Sequence, residues 1–354
     1  MVRFADVGHS GPTTLPQTKR ELLVWIWYPA AEESQGTSDY LPVELRAAVE
    51  HRLGSLISKF LTRDLARVRA HSIPNASISS QQSSYPVVIM RGGASSPLWN
   101  YSTLAEDLAS HGFVVVGFDS PYRTEVVVLR NGHVITRTQQ NNPETCLHMS
   151  HSEQERCVSR VMSAWTSDMS FAVDRLASLN TDDPSGIFTG RLDLSRIGVF
   201  GHSLGGAEAA QFCHEDSRCK AGMDIDGALH GDVIGIDRPF MFLLSDHSGE
   251  SDPQAGQIGA DIQSVYDRLP ANGRAFMEIR GANHFLFSDD GALLKSHILL
   301  RILRALGIVR IDGRRQLAVT AYCLRSFFDA FLKNGSESRL AISSPLYPEL
   351  QSLK

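Results

Sequence analysis

No apolar run in this 354-residue chain approaches the ~20 residues that a membrane-spanning helix needs. The opening Met1-Val-Arg-Phe-Ala-Asp-Val-Gly-His9 lacks the apolar core of a signal peptide, so the expected location is the cytosol, with secretion only if a leader has been removed. Long basic runs are also missing, and the net charge is −5, which argues against nucleic acid and anionic membrane surfaces as partners. Cysteine is scarce. The five present (Cys146, Cys157, Cys213, Cys219 and Cys323) are an odd number at spacings that match no zinc pattern, so no metal site is expected. Cys213 and Cys219 could close a local bridge in an oxidising compartment; in the cytosol, free buried thiols are expected. The sequons at Asn75, Asn100 and Asn334 would matter only in a secreted protein. No internal repeat is visible. Apolar content of 42% with 21% charge is that of an ordinary globular chain.

What is present is a rhythm of short apolar strands and amphipathic helices. Glu21–Tyr28, Tyr85–Met90, Gly112–Phe118, Ala221–Ile225, Pro239–Leu244 and Ala275–Ile279 read as strands. Helical periodicity marks Leu41–Ala70, Trp99–His111, Ser159–Leu179, Gln257–Leu269, Ala292–Leu306 and Arg314–Leu332. Such alternation predicts a mostly parallel sheet with helices on both faces, formed by a single domain over 1–354. Two blocks interrupt the rhythm. Residues 41–84 read as a helical cap insertion. Residues 124–158 read as a hairpin around Asn131-Gly132 followed by a polar loop over Asn141–Gln154.

The apolar run Ile197–Phe200 leads directly into Gly201-His-Ser-Leu-Gly205, and a helical segment follows. Strand, G-x-S-x-G and helix together predict a nucleophile elbow carrying Ser203, and hence an α/β-hydrolase fold. Side chains at Gly201 and Gly205 would crowd the turn. A serine hydroxyl needs a base and a carboxylate to orient that base. His284, in the glycine-containing loop after the last strand, is the expected base. His202 should point away from Ser203 as local support, and His230 and His247 precede the last strand. Two acids qualify by position: Asp226 after one strand and Asp246 after the next. Asp224 lies within its strand and should face elsewhere.

Several segments carry a family resemblance: Arg20–Ala30, Tyr85–Gly93, Leu108–Val114, Gly201–Gly206, Gly222–Gly227 and Arg280–His284. In these the chain resembles the platelet-activating factor acetylhydrolase family, in its plasma and intracellular type II branch with fungal and actinobacterial esterase relatives. The resemblance implies Asp226 as the acid, with Asp246 as the alternative. It also implies an oxyanion hole made by the backbone N–H groups of Leu204 and Gly93. The family carries His-Gly-x-Gly in the Gly93 loop; here the segment is Arg91-Gly92-Gly93-Ala94, and Arg91 is a candidate contact for a substrate carboxylate. The expected function is a serine ester hydrolase acting on a small-molecule or lipid ester, with no cofactor. The alternative is a biosynthetic thioesterase, condensation or cyclisation catalyst on the same scaffold. Oligomeric state is not legible.

Overall fold

The computed structural model describes residues 2–5, 21–32, 36–53, 63–129, 131–230, 233–247, 253–307, 309–333 and 344–354. Among the described residues nine strands form one sheet: β1 (Val2–Ala5), β2 (Glu21–Trp27), β3 (Tyr85–Arg91), β4 (Val114–Asp119), β5 (Leu192–His202), β6 (Cys219–Ile225), β7 (Phe240–Leu244), β8 (Arg274–Ile279) and β9 (Leu350–Ser352). Their spatial order is β1-β2-β4-β3-β5-β6-β7-β8-β9. From β4 to β8 every pairing is parallel, while β2 on one side and β9 on the other join antiparallel.

Strand alternation splits the core into two. Val88, Met90 and Val115 face one cluster, built with α2 (Ser102–Ser110) and α8 (Gly313–Leu332). Val87, Ile89, Val114 and Val116 face the other, built with α3 (His151–Thr181), α4 (Leu204–Glu215) and α5 (Pro253–Tyr266). A strand apolar on both faces must be covered on both, which is why these runs read as continuous rather than alternating. The chain direction across the sheet reverses between β3 and β5, and the ends of those neighbours, Arg91 and Gly201, are paired. Such a switch point opens a crevice at the carboxyl ends of the strands.

Several elements depart from the sequence expectation. The helix expected over Leu41–Ala70 is α1 (Val43–Leu53); residues 54–62 lie outside the described residues, and Arg69–Ala70 is a short strand paired with Ser38–Asp39. The polar stretch read as a loop to Gln154 becomes helical at His151, because Ser150 and Glu153 form a capping box. Ala292–Leu306 is two helices, α6 (Asp290–Leu293) and α7 (His297–Ala305); the Ser296 side chain caps the second through the N–H of Leu299. The hairpin is present as Val126–Val128 against Val134–Thr136. Leu45 and Val49 of α1 pack against Val126 and Val128 of that hairpin.

The cysteines also differ from expectation. Cys213–Cys219 ties the end of α4 to the start of β6, and Cys146–Cys157 ties the preceding turn to the first turns of α3. Each short closed loop stabilises the fold by roughly 2–3 kcal/mol in the chain-entropy picture. Cys323 remains a buried thiol, with its pKa pushed by burial up to about 12.

Asp289 joins α1's entry segment to the loop after β8. It is buried, and its carboxylate accepts the Tyr40 hydroxyl at 2.6 Å. Burial pushes this carboxyl up to about 7, against the hydrogen bonds from Tyr40 and Thr103 that favour the charged form. The folded state thus keeps a proton that an unfolded aspartate releases near pH 4, so this group costs stability as pH rises from about 4 to about 7. Asp289→Asn should remove that cost. Its melting temperature relative to the wild type should rise between about pH 5 and pH 8; an advantage that shrinks over that range would refute the assignment.

Candidate active site

The site begins with a backbone constraint. β5 is buried from Ile197 to His202, and α4 starts at Leu204, so Ser203 alone turns the chain. It sits at φ 57° and ψ −127°, a region that costs a non-glycine residue of the order of 1–3 kcal/mol. The turn is possible because the backbone on either side is bare. A methyl at Gly201 would lie 2.0 Å from the carbonyl oxygen of Gly205, and one at Gly205 would lie 2.6 Å from the carbonyls of Arg91 and Gly92. The Ser203 N–H donates to Ile225 O at 2.8 Å, tying the elbow to β6.

Two loops bring side chains to it. His284 opens a 3₁₀ turn, His284–Phe287, shortly after β8. The peptide before it is held by buried Gln316 of α8, which accepts the Asn283 N–H at 3.0 Å and donates to Asn283 O at 2.8 Å. His284 Nε2 lies 3.1 Å from Ser203 Oγ, and His284 Nδ1 lies 2.7 Å from Asp226 Oδ2. Asp226 follows β6 and itself adopts a positive φ of 55°. Its buried carboxylate also accepts the Ser245 N–H at 2.8 Å and the Ser245 hydroxyl at 2.6 Å, and His247 Nε2 lies 3.0 Å from Oδ1. Burial opposes ionisation of Asp226. The hydrogen bonds from His247, His284 and Ser245 outweigh it and hold the carboxyl well below the usual range. Ser245 and His247 were not expected here; they flank Asp246, the alternative acid, in the sequence.

Asp246 points elsewhere. Its Oδ2 accepts the Gly281 N–H at 2.7 Å and lies 3.6 Å from Arg310, so it anchors the base of the loop that carries His284. Asp224 is fully buried beside the elbow, and burial pushes its carboxyl well above the usual range. His230 stands in the loop after Asp226, and burial lowers its pKa from the usual histidine value.

His202 packs against His284 with the rings tilted and their centroids 4.6 Å apart, and its Nδ1 lies 2.8 Å from the Tyr101 hydroxyl. Burial first, and then the adjacent His284, lowers its pKa to about 3, so it stays neutral. Tyr101 also accepts the Gly93 N–H at 3.1 Å, an acceptor that sequence reasoning did not foresee. Gly93 itself is against the elbow: a methyl there would lie 3.0 Å from Ser203 Cβ. Leu204 begins α4, and its N–H is among those with no partner inside the helix. Arg91, a candidate contact for a substrate carboxylate, is 1% exposed, and its Nε is 2.7 Å from Glu208. Among the described residues no cluster of His, Cys, Asp and Glu could hold a metal ion, and no helix is long and apolar enough to cross a membrane.

The platelet-activating factor acetylhydrolase, isoform II, family matches residues 12–337. The chain belongs to that family. A probable 1-alkyl-2-acetylglycerophosphocholine esterase of Arthroderma benhamiae is 23% identical over 283 residues, covering 75% of this chain and 65% of the relative. The platelet-activating factor acetylhydrolase of Cavia porcellus is also 23% identical, over 75% of this chain and 59% of its own length. This family member therefore spans about three-fifths of those relatives. The ferulic acid esterase of Streptomyces cinnamoneus superposes with a TM-score of 0.79 at 23% identity, covering 100% of this chain and 95% of that one. The α/β-hydrolase fold is thereby shown.

Two aspartate variants separate the roles assigned by geometry. Asp226→Asn should slow labelling of Ser203 by a fluorophosphonate about 10³-fold or more, because the imidazole loses its orienting charge. Asp246→Asn should slow it less, through a looser loop. A larger loss from Asp246→Asn in rate measurements would reverse the assignment.

Proposed function

We propose that this protein is a serine carboxylic ester hydrolase, with Ser203 as nucleophile, His284 as general base and acid, and Asp226 as its orienting carboxylate. The observation that carries this reading is the unbroken chain from Ser203 Oγ to His284 at 3.1 Å and from His284 to Asp226 at 2.7 Å, presented on a strained elbow. The Nδ1–H of His284 donates to the ionised Asp226, which leaves Nε2 free to take the serine proton. Ser203 Oγ then bonds to the acyl carbon, and the tetrahedral oxyanion is received by the N–H of Leu204 and by that of Gly93, shared with Tyr101 Oη. His284 returns the proton to the departing alcohol. Water, deprotonated by the same imidazole, attacks the acyl carbon; the acyl–Oγ bond breaks, His284 returns the proton to Ser203 Oγ, and the acid is released.

The substrate class follows from the relatives, two of them named for acetyl ester cleavage and one for ferulic ester cleavage. A short acyl chain on a phospholipid-like or small-molecule alcohol is the reading they support. Those names favour hydrolysis over a biosynthetic condensation or cyclisation. The insertions at 41–84 and 124–158 are read as the cap. The first packs on the hairpin of the second, and Val158 and Val161 near the start of α3 join the cluster that holds Leu204.

Two disulfides support an oxidising compartment rather than the expected cytosol. In such a compartment exposed Asn75 is open to glycosylation, whereas Asn100 is buried and bonded to Asp290 at 2.9 Å.

Purified protein should be labelled by a fluorophosphonate at Ser203 and should turn over short-chain chromogenic esters. Ser203→Ala should abolish labelling and cut turnover by about 10⁴-fold or more. A folded wild type that neither labels nor turns over would sink the reading. Protein prepared without reductant, then unfolded and alkylated, should react only at Cys323; modification at Cys146 or Cys213 in that digest would refute the two bridges on which the compartment assignment rests.

A further inference from the structure

Three charged side chains are buried behind the elbow where an apolar core would suffice. Glu208, on the first turns of α4, is fully buried, and Arg91 and Arg123 are 1% and 4% exposed. The two oxygens of Glu208 are divided between them: Arg91 Nε donates to Oε2 at 2.7 Å and Arg123 Nη1 to Oε1 at 2.5 Å. Each guanidinium is fixed further. Arg91 donates to Phe118 O at 2.6 Å and lies 3.8 Å above the Phe118 ring. Arg123 lies 3.8 Å above the Trp165 ring of α3. Burying three ions is a weak way to gain stability, since well-packed apolar side chains of similar volume often do as well or better. What the ions provide here is direction.

Arg123 donates Nη2 to Gly92 O at 3.2 Å and Nε to Ala94 O at 3.3 Å. Gly92 C=O and Gly93 N–H belong to one planar trans peptide, so a donor fixed on the oxygen also fixes where the N–H points. At the other end of that peptide the N–H meets Tyr101 Oη at 3.1 Å. Ala94, just beyond, is held at a positive φ of 21°, a conformation the loop would not keep unaided. Glu208 lies on the same helix whose first N–H is that of Leu204. One carboxylate therefore links the helix that carries one proposed oxyanion donor to the arginine that orients the peptide carrying the other.

We propose that Arg91, Glu208 and Arg123 form a positioning clamp that sets the Gly93 peptide against the start of α4, and so sets the geometry of the oxyanion hole. The inference rests on the ester-hydrolase reading of Ser203, and it explains how an arginine can stand where the family carries histidine: Arg91 secures Glu208 instead of touching substrate. The clamp acts on transition-state geometry and leaves ground-state binding alone.

Glu208→Gln keeps the shape and removes the charge, and Arg123→Lys keeps the charge and removes the fork. For both, kcat on a short-chain ester should fall about 10–100-fold while KM stays within about threefold, the signature of an interaction made in the transition state. The inhibition constant of a trifluoromethyl ketone, whose serine adduct carries the oxyanion, should rise by the same factor. Amide hydrogen exchange at Gly92–Ala94 should quicken. A purely structural role would lower the melting temperature without linking kcat to the inhibitor in this way. Folded variants with kcat within about twofold of the wild type and unchanged exchange would overturn the clamp. A wild type that hydrolyses no ester would overturn the functional reading separately, and the exchange comparison would still decide the clamp: unchanged exchange refutes it, faster exchange in both variants supports it.

Discussion

Everything at this site depends on one residue held in a backbone conformation it would not choose. Ser203 is at φ 57° because β5 must end and α4 must begin without an intervening loop. The strain persists because its surroundings leave no alternative. Gly201 and Gly205 allow backbone to lie on backbone, and the Ser203 N–H is held by β6. The same contacts bring the end of β3 alongside, so Gly93 and Leu204, each just past the end of one of two neighbouring strands, meet at Ser203 at the switch point of the sheet.

Around that turn the protein distributes buried charge with care. Asp226 stays ionised because it collects hydrogen bonds from His284, His247 and Ser245. Asp224, two residues earlier, has one N–H, from Gly227, and burial favours its neutral form. His202 stays neutral beneath His284, so in the proposed mechanism it would not compete with His284 for a proton. Environments that push neighbouring groups in opposite directions are how a fold assigns proton-transfer roles.

Much of this was legible beforehand. The G-x-S-x-G segment between a buried strand and a helix located Ser203, and its loop position located His284, because those signals are local. The choice between Asp226 and Asp246 was not local: both end strands, and it was the resemblance that tipped it toward Asp226. Their separation depends on which loop leans toward His284, and Gly281 and Arg310 capture Asp246 through contacts from distant parts of the chain. The edge strands β1 and β9 were missed for a related reason. They are short, and pairing with a distant partner defines them. The start of α3 was missed although its capping signal, Ser150-His-Ser-Glu153, was present, since the first turns are polar and carry no apolar stripe.

The sequence by itself determined the α/β architecture, the elbow and the pair Ser203 and His284, because hydrophobic period, glycine sterics and loop position act over a few neighbouring residues. Only the tertiary structure decided which carboxylate pairs with Arg91, which cysteines are joined, and which acceptor meets the Gly93 amide. Those outcomes depend on how separate elements pack on one another: Glu208 is 117 residues from Arg91. A side chain's charge is written in the sequence, but the partner that neutralises it is chosen by the packing.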